Sequence, residues 1–146
     1  MGSIILRGGT IVDGTGSSSY QGDVWIDGDK IREAGKVETG IAGEEIDVSG
    51  LVVAPGFIDI HTHTDRKIFD NPMGDSKVMQ GVTTDVTSNC GIGPFPACEC
   101  RFADLESYLG TLSGSLPAGG VTWTDFNGFA AAVEKVEPGM NLAMLA

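Results

Sequence analysis

The sequence predicts an α/β protein: the first part of a parallel (β/α)8 barrel, preceded by a small antiparallel β-sandwich and cut off after about three barrel strands. Three observations lead there. Residues 1–54 hold short apolar segments separated at regular intervals by glycine-containing turns, the pattern of a small all-β layer. Residues 55–146 change to strand patterns alternating with helical ones, which implies a parallel sheet. The chain has 146 residues, whereas a complete barrel of this type takes about 250.

The strands expected in the first part are Ile4 to Leu6, Thr10 to Val12, Asp23 to Ile26, Ile31 to Ala34 and Glu45 to Val48. Asp13-Gly14-Thr15-Gly16 and Asp27-Gly28-Asp29-Lys30 are the turns, with glycine where a positive φ is required. At Gly50 the pattern changes, and Leu51-Val52-Val53-Ala54 leads through Pro55-Gly56 into the apolar strand Phe57-Ile58-Asp59-Ile60-His61-Thr62-His63. Asp75 to Gln80 reads as a short helix and the β-branched run Val82 to Thr87 as the next strand. Phe102 to Leu112 and Asp125 to Val136 read as helices; in the second, Phe126, Phe129, Ala130, Val133 and Val136 share one face, with Thr124 as its cap. Pro138-Gly139 stops that helix, and Asn141 to Ala146 is a third strand, apolar throughout after Asn141. Ending in an uncapped apolar strand is expected of a truncation or cleavage point.

Composition narrows the class. Hydrophobic residues make up 41% and charged residues 20%, and no apolar run approaches the length of a membrane span. The opening Met1-Gly2-Ser3-Ile4-Ile5-Leu6 lacks the basic stretch and long apolar core of a secretory leader, so a cytoplasmic location is the default expectation. Twenty acidic against 9 basic side chains give a net charge of −11, which repels phosphate backbones and anionic membrane surfaces; neither nucleic acid nor a membrane is an expected partner. Three cysteines, Cys90, Cys98 and Cys100, are too few and too clustered for a disulfide framework, and reduced thiols or a metal ligand fit better.

The chemistry concentrates at His61-Thr62-His63. On a strand, alternation puts Phe57, Asp59, His61 and His63 on one face, so two imidazoles converge at the end of a barrel strand, where such barrels build their active sites. Neutral imidazole is a good zinc ligand. Two histidines exposed on a strand end are the plainer reading of an isolated H-x-H. Cys90 follows the strand Val82 to Thr87 and opens the glycine-rich turn Cys90-Gly91-Ile92-Gly93-Pro94. A thiolate beside the histidines would make a mixed nitrogen and sulfur site, and coordination would remove its proton; a buried structural cysteine is the plainer alternative. Asp59 is expected either to orient an imidazole or to join a polar layer inside the barrel. Asp65 reads as an exposed loop residue. Cys98-Glu99-Cys100 is too short for a closed four-ligand zinc site, and accidental proximity of the two thiols is expected.

Val53-Ala54-Pro55-Gly56-Phe57-Ile58-Asp59-Ile60-His61-Thr62-His63 resembles the first-strand signature of the amidohydrolase superfamily, whose members also carry a β-rich N-terminal segment. Gln80-Gly81-Val82-Thr83-Thr84-Asp85-Val86-Thr87-Ser88-Asn89-Cys90-Gly91-Ile92 resembles the second-strand region of its D-aminoacylase group, where a cysteine is a metal ligand in place of the carboxylated lysine or glutamate of most relatives. Thr122 to Leu145 is similar in layout to that group's next helix and strand. The resemblance implies His61, His63 and Cys90 as metal ligands, zinc as the cofactor, and hydrolysis of an N-acyl-D-amino acid by a zinc-activated water. It also implies two further histidine ligands and an aspartate general base beyond residue 146, so that this chain alone is catalytically silent. The expected partners are a small-molecule N-acyl amino acid and the remainder of the same enzyme, as a second chain or a missing segment. A hydantoinase- or dihydroorotase-like cyclic amidase, and a non-catalytic module that binds metal or a partner chain, are the alternatives; Asn89-Cys90-Gly91 argues against the first.

Overall fold

The computed structural model describes residues 2–111, 114 and 116–145, so Leu112 and Ala146, included in the expected second helix and third strand, lie outside the described residues. The chain divides into two compact units, Met1–Pro55 and Gly56–Ala146.

In the first unit β1 (Ser3–Ile11), β2 (Tyr20–Asp27), β3 (Lys30–Gly35), β4 (Glu44–Asp47) and β5 (Val52–Val53) form one five-stranded sheet in the order β3-β2-β1-β4, with β5 also on β1. The two strands expected at Ile4 to Leu6 and Thr10 to Val12 are a single β1, with an irregularity between Leu6 and Gly9 in its pairing to β2. Gly8 stands inside it at φ 74°, a conformation that suits glycine. The hairpins β1–β2 and β2–β3 are antiparallel as expected, but β4 and β5 run parallel to β1, so the sheet is mixed and not purely antiparallel. The cause is the route of residues 36–43: β4 has the same sense as β3, so the chain must cross back past β2 before it can pair on the far side of β1. Among the described residues this unit contains one sheet and no second layer of a sandwich. Ile5, Ile11, Val24 and Val37 are buried in it. Arg7 ties β1 to its neighbours, donating to Asp23 at 2.9 Å, to Glu45 at 2.5 Å and to the Val37 carbonyl at 3.1 Å.

The second unit is built on three parallel strands, β6 (Phe57–Asp59), β7 (Val82–Thr87) and β8 (Asn141–Met144), in that spatial order. Short α1 (Asp75–Val78) precedes β7, and α2 (Phe102–Thr111) and α3 (Phe126–Glu134) lie between β7 and β8. Ile68, Val121, Trp123, Phe129 and Val133 form the core, and the Trp123 indole N–H donates to the Pro94 carbonyl at 2.8 Å. Of the apolar face expected on α3, Phe129 and Val133 are buried while Phe126 is 48% exposed. The α3 cap is Asp125 and not Thr124: its carboxylate accepts from the Gly128 N–H at 2.9 Å. Among the described residues no helix is long and apolar enough to cross a membrane.

Candidate metal centre

The approach of β6 to β7 begins at Gly56. A Cβ at that position would lie 2.7 Å from Thr83 Cβ, so only glycine lets the two strands come this close. β6 pairs Asp59 directly with Asp85 of β7 and ends there, four residues short of the strand expected to reach His63. The reason is local: the Asp59 carboxylate turns forward and accepts the His61 backbone N–H at 3.1 Å, which competes with continued strand pairing. The Thr62 N–H then donates to the Val86 carbonyl at 3.2 Å, and a 3-10 turn, Thr64–Arg66, follows His63. The histidines therefore converge through a turn and not by strand alternation. Their ring centroids are 6.1 Å apart, at 72°.

Cys90 arrives from the other strand by an unusual backbone. After β7 both Ser88 (φ 62°) and Cys90 (φ 61°) are left-handed, a costly state for residues with a Cβ that is often found at functional sites. Buried Asn89 holds the turn, its amide donating to the Val86 carbonyl at 2.8 Å and to the Thr62 carbonyl at 3.2 Å. The result places Cys90 Sγ 3.3 Å from His61 Nε2. One donor atom each from His61, His63 and Cys90 lies within 4.8 Å of the others. Ligands around one tetrahedral zinc sit about 3.5 Å apart, given bonds of about 2.0–2.3 Å. Two imidazoles and a thiol are a donor set that zinc accepts, His63 Nδ1 is buried with no hydrogen-bond partner among the described residues, and the cluster fits a metal ion.

Around the cluster lies a polar network that sequence reasoning missed. Asp85, fully buried, accepts from the Thr64 hydroxyl and faces Lys77 Nζ at 3.5 Å. Lys77 also pairs with Asp59 and donates to the Thr62 hydroxyl at 3.1 Å. The Lys77 hydrogen bond, helped by the His61 N–H, holds Asp59 below the usual aspartate range. Burial works against the charge on Lys77, but the Asp59 hydrogen bond and the nearby carboxylates of Asp85 and Asp59 outweigh it, and its pKa is raised. One signal was available for part of this: a lone carboxylate in the middle of the β-branched run Val82 to Thr87 has to be buried against a partner. Nothing local marked Lys77, and Asn89 stood out only as part of the Asn89-Cys90-Gly91 motif.

Two further expectations are overturned. Asp65 is not an exposed loop residue; it is 2% exposed, accepts from the Ser88 hydroxyl at 3.2 Å, and burial raises its pKa against the opposing effects of Ser88, His63 and Arg66. Residues 64–66 coil into a 3-10 turn that carries its side chain inward. Cys98 and Cys100 are not a chance pair of reduced thiols but a disulfide, their Cα atoms 5.3 Å apart and within bridging range. Cys90 remains a free, exposed thiol. Asp59, for which two roles were open, bonds to the backbone of His61 and to Lys77 and not to an imidazole ring.

Comparison with known proteins finds relatives of one kind. The chain is 45% identical over 93 residues to a D-aminoacylase of Alcaligenes xylosoxydans xylosoxydans, covering 64% of this chain and 19% of that protein. It is 34% identical over 128 residues to an N-acyl-D-glutamate deacylase of the same organism, covering 78% of this chain and 26% of the relative. Among solved structures, an N-acyl-D-glutamate deacylase from Bordetella bronchiseptica, complexed with zinc and a phosphonate mimic of the tetrahedral intermediate, superposes with a TM-score of 0.78 at 33% identity, covering 98% of this chain and 29% of that one. The chain thus spans about a quarter of the length of the proteins it matches. The model of the amidohydrolase family matches residues 44–133, and with its histidines and cysteine gathered behind β6 and β7 the chain belongs to that family.

Proposed function

We propose that this chain supplies one side of the metal centre of an enzyme that hydrolyses the amide bond of N-acyl-D-amino acids. The observation that carries the reading is the convergence of His61, His63 and Cys90 within 4.8 Å. The similarity to deacylases of N-acyl-D-amino acids supports the substrate class. On this reading the parallel sheet β6-β7-β8 is the opening of a (β/α)8 barrel, residues 1–54 form the smaller β domain before it, and residues beyond 146 complete both.

Bound zinc would supply a Lewis acid that polarises the amide carbonyl and acidifies water. His61, His63 and Cys90 would hold it. Asp59 fixes the backbone at His61, and the Asn89 amide locks the Cys90 turn to Thr62, so the three donors are positioned before any ion arrives. A general base must take a proton from the attacking water and then, as the conjugate acid, deliver it to the leaving nitrogen; the family resemblance puts that aspartate outside residues 1–146, and its absence typically costs about 10²–10⁴ in rate. The remaining polypeptide, as a second chain or a continuation of this one, is therefore a required partner for turnover. A cyclic amidase is the weaker reading, because the free thiol of Cys90 lies 3.3 Å from His61 Nε2, within reach of an ion that His61 would bind.

Cobalt(II) titration tests the centre. Wild-type protein is expected to develop the near-ultraviolet absorption of a thiolate-cobalt bond, lost in Cys90→Ser and weakened by His61→Ala. The complete protein is expected to hydrolyse N-acetyl-D-methionine in preference to its L enantiomer, and the 146-residue chain alone to stay at background. Cobalt binding indifferent to Cys90, or turnover of a hydantoin but not of the N-acyl-D-amino acid, would refute the reading.

A further inference from the structure

We infer that Lys77 is a positioning residue for the metal centre, holding the His61-Thr62-His63 turn through Asp59 and Thr62; this rests on the proposed function above. Lys77 lies in α1, more than a dozen residues from the histidines in sequence, yet its Nζ meets both the residue that leads into their turn and the residue at its centre. It pairs with Asp59, the last residue of β6, whose other carboxylate oxygen accepts the His61 N–H. It also donates to the Thr62 hydroxyl, between the two histidines, at 3.1 Å. Thr62 Oγ1 lies in turn 3.1 Å from Thr64 Oγ1 on the far side of His63. One ammonium therefore holds both flanks of His61 directly and reaches the far flank of His63 through the Thr62 hydroxyl.

The arrangement is more than charge neutralisation. Asp59 and Asp85 are register partners on β6 and β7, and like charges directly opposite each other destabilise a sheet. Asp85 is fully buried, which makes an unpaired carboxylate there still less tolerable. Any nearby cation would relieve that repulsion. Lys77 additionally donates to Thr62, a neutral group with no charge to balance, and fixes the orientation of the Asp59 carboxylate that takes the His61 N–H. One ammonium bonds to Asp59 and Thr62 and lies 3.5 Å from the Asp85 carboxylate, within ion-pair range. Groups of this kind, which touch the ligands' supports and not the ion, change metal affinity by about 10–100-fold when removed.

The test is cobalt(II) affinity and absorption in wild type, Lys77→Met and the double variant Lys77→Met/Asp85→Asn. The double variant removes the buried carboxylate together with its cation, so folding no longer depends on the lost ion pair while Asp59 and Thr62 are still released. Circular dichroism of the metal-free proteins reports folding separately. The expected result is a folded double variant that binds cobalt about 10–100-fold more weakly than wild type, with a shifted or diminished thiolate-cobalt band. A folded double variant with wild-type affinity and an unchanged band would overturn the inference and leave the metal centre standing. Wild-type protein that binds no cobalt through Cys90 would instead remove the proposed function, and this inference with it.

Discussion

Replacing Gly56 by alanine should act on the strand that leads into the metal centre, through one contact that cannot be rotated away. The added Cβ would fall against Thr83 Oγ1 and Cγ2 and 2.7 Å from Thr83 Cβ. Thr83 is exposed, so a change of its rotamer can clear the first two atoms. Its Cβ is fixed by the backbone, and relief there requires β6 and β7 to separate by several tenths of an ångström. Overpacking of this kind costs about 1–3 kcal/mol, and the freedom of the Thr83 side chain puts the expected value in the lower half of that range. Urea unfolding should show a lower midpoint with an unchanged slope. Thr83→Gly removes all three opposing atoms, the fixed Cβ included, so in the Gly56→Ala background it should recover at least about 0.5 kcal/mol, a coupling that a double-mutant cycle reads directly. Gly56→Ala within about 0.5 kcal/mol of wild type, or strictly additive effects of the two substitutions, would show that the close approach of β6 and β7 is not what requires glycine here.

Two further outcomes are expected. Phe129 is 1% exposed and its ring centroid lies 5.1 Å from Trp123, 5.8 Å from Phe95 and 6.0 Å from Phe69, so Phe129→Ala should cost about 3–5 kcal/mol by urea unfolding and Phe129→Leu clearly less. In the first unit the Gly8 N–H at 2.8 Å and the Arg7 guanidinium at 2.9 Å together overcome the opposing effect of burial and hold Asp23 below the usual aspartate range. A depressed carboxylate pKa stabilises the folded state above the unfolded value and loses that contribution as pH falls through the folded one. Asp23→Asn should therefore destabilise at neutral pH, and its deficit against wild type should shrink once pH drops below about 3.9, as thermal unfolding across pH 2 to 7 would show.

How much of the fold was legible follows from where each element's information resides. β7 was readable because Val82 to Thr87 is β-branched and bounded by turn residues, so its signal is local. α2 and α3 were readable from periodicity, to within two residues at each described end. The parallel sense of β4 and β5 was not, since it depends on the path of residues 36–43 across the sheet and on no property of the strands themselves. Thr124 was expected to cap α3 because it can; Asp125, one residue later, competes for the same backbone donors and takes the Gly128 N–H. The Cys98–Cys100 bridge was missed because a two-residue separation looked like accident, while the loop there brings the Cα atoms to 5.3 Å.

At the site the residue types were legible and the geometry was not. Strand alternation was the reason given for placing His61 and His63 together, but β6 ends at Asp59, and beyond it each backbone step is governed by a side chain that closes a local bond. The convergence with Cys90 depends equally on Asn89, whose amide reaches carbonyls on two segments that sequence separates by more than twenty residues. Lys77, Asp85 and Asn89 come from a helix, a strand and a turn, and no periodicity links them. The consequence is physical: a site carried on strand ends would inherit the rigidity of the sheet, whereas this one takes its geometry from a few polar contacts, exposed between Asp59 and His61 and buried between Asn89 and Thr62. Where such a contact is buried, as between the Asn89 amide and the Thr62 carbonyl, losing it leaves a buried group unsatisfied as well as a ligand unsupported. The positions that govern metal affinity therefore extend past the three ligands to the residues that fold the two turns around them.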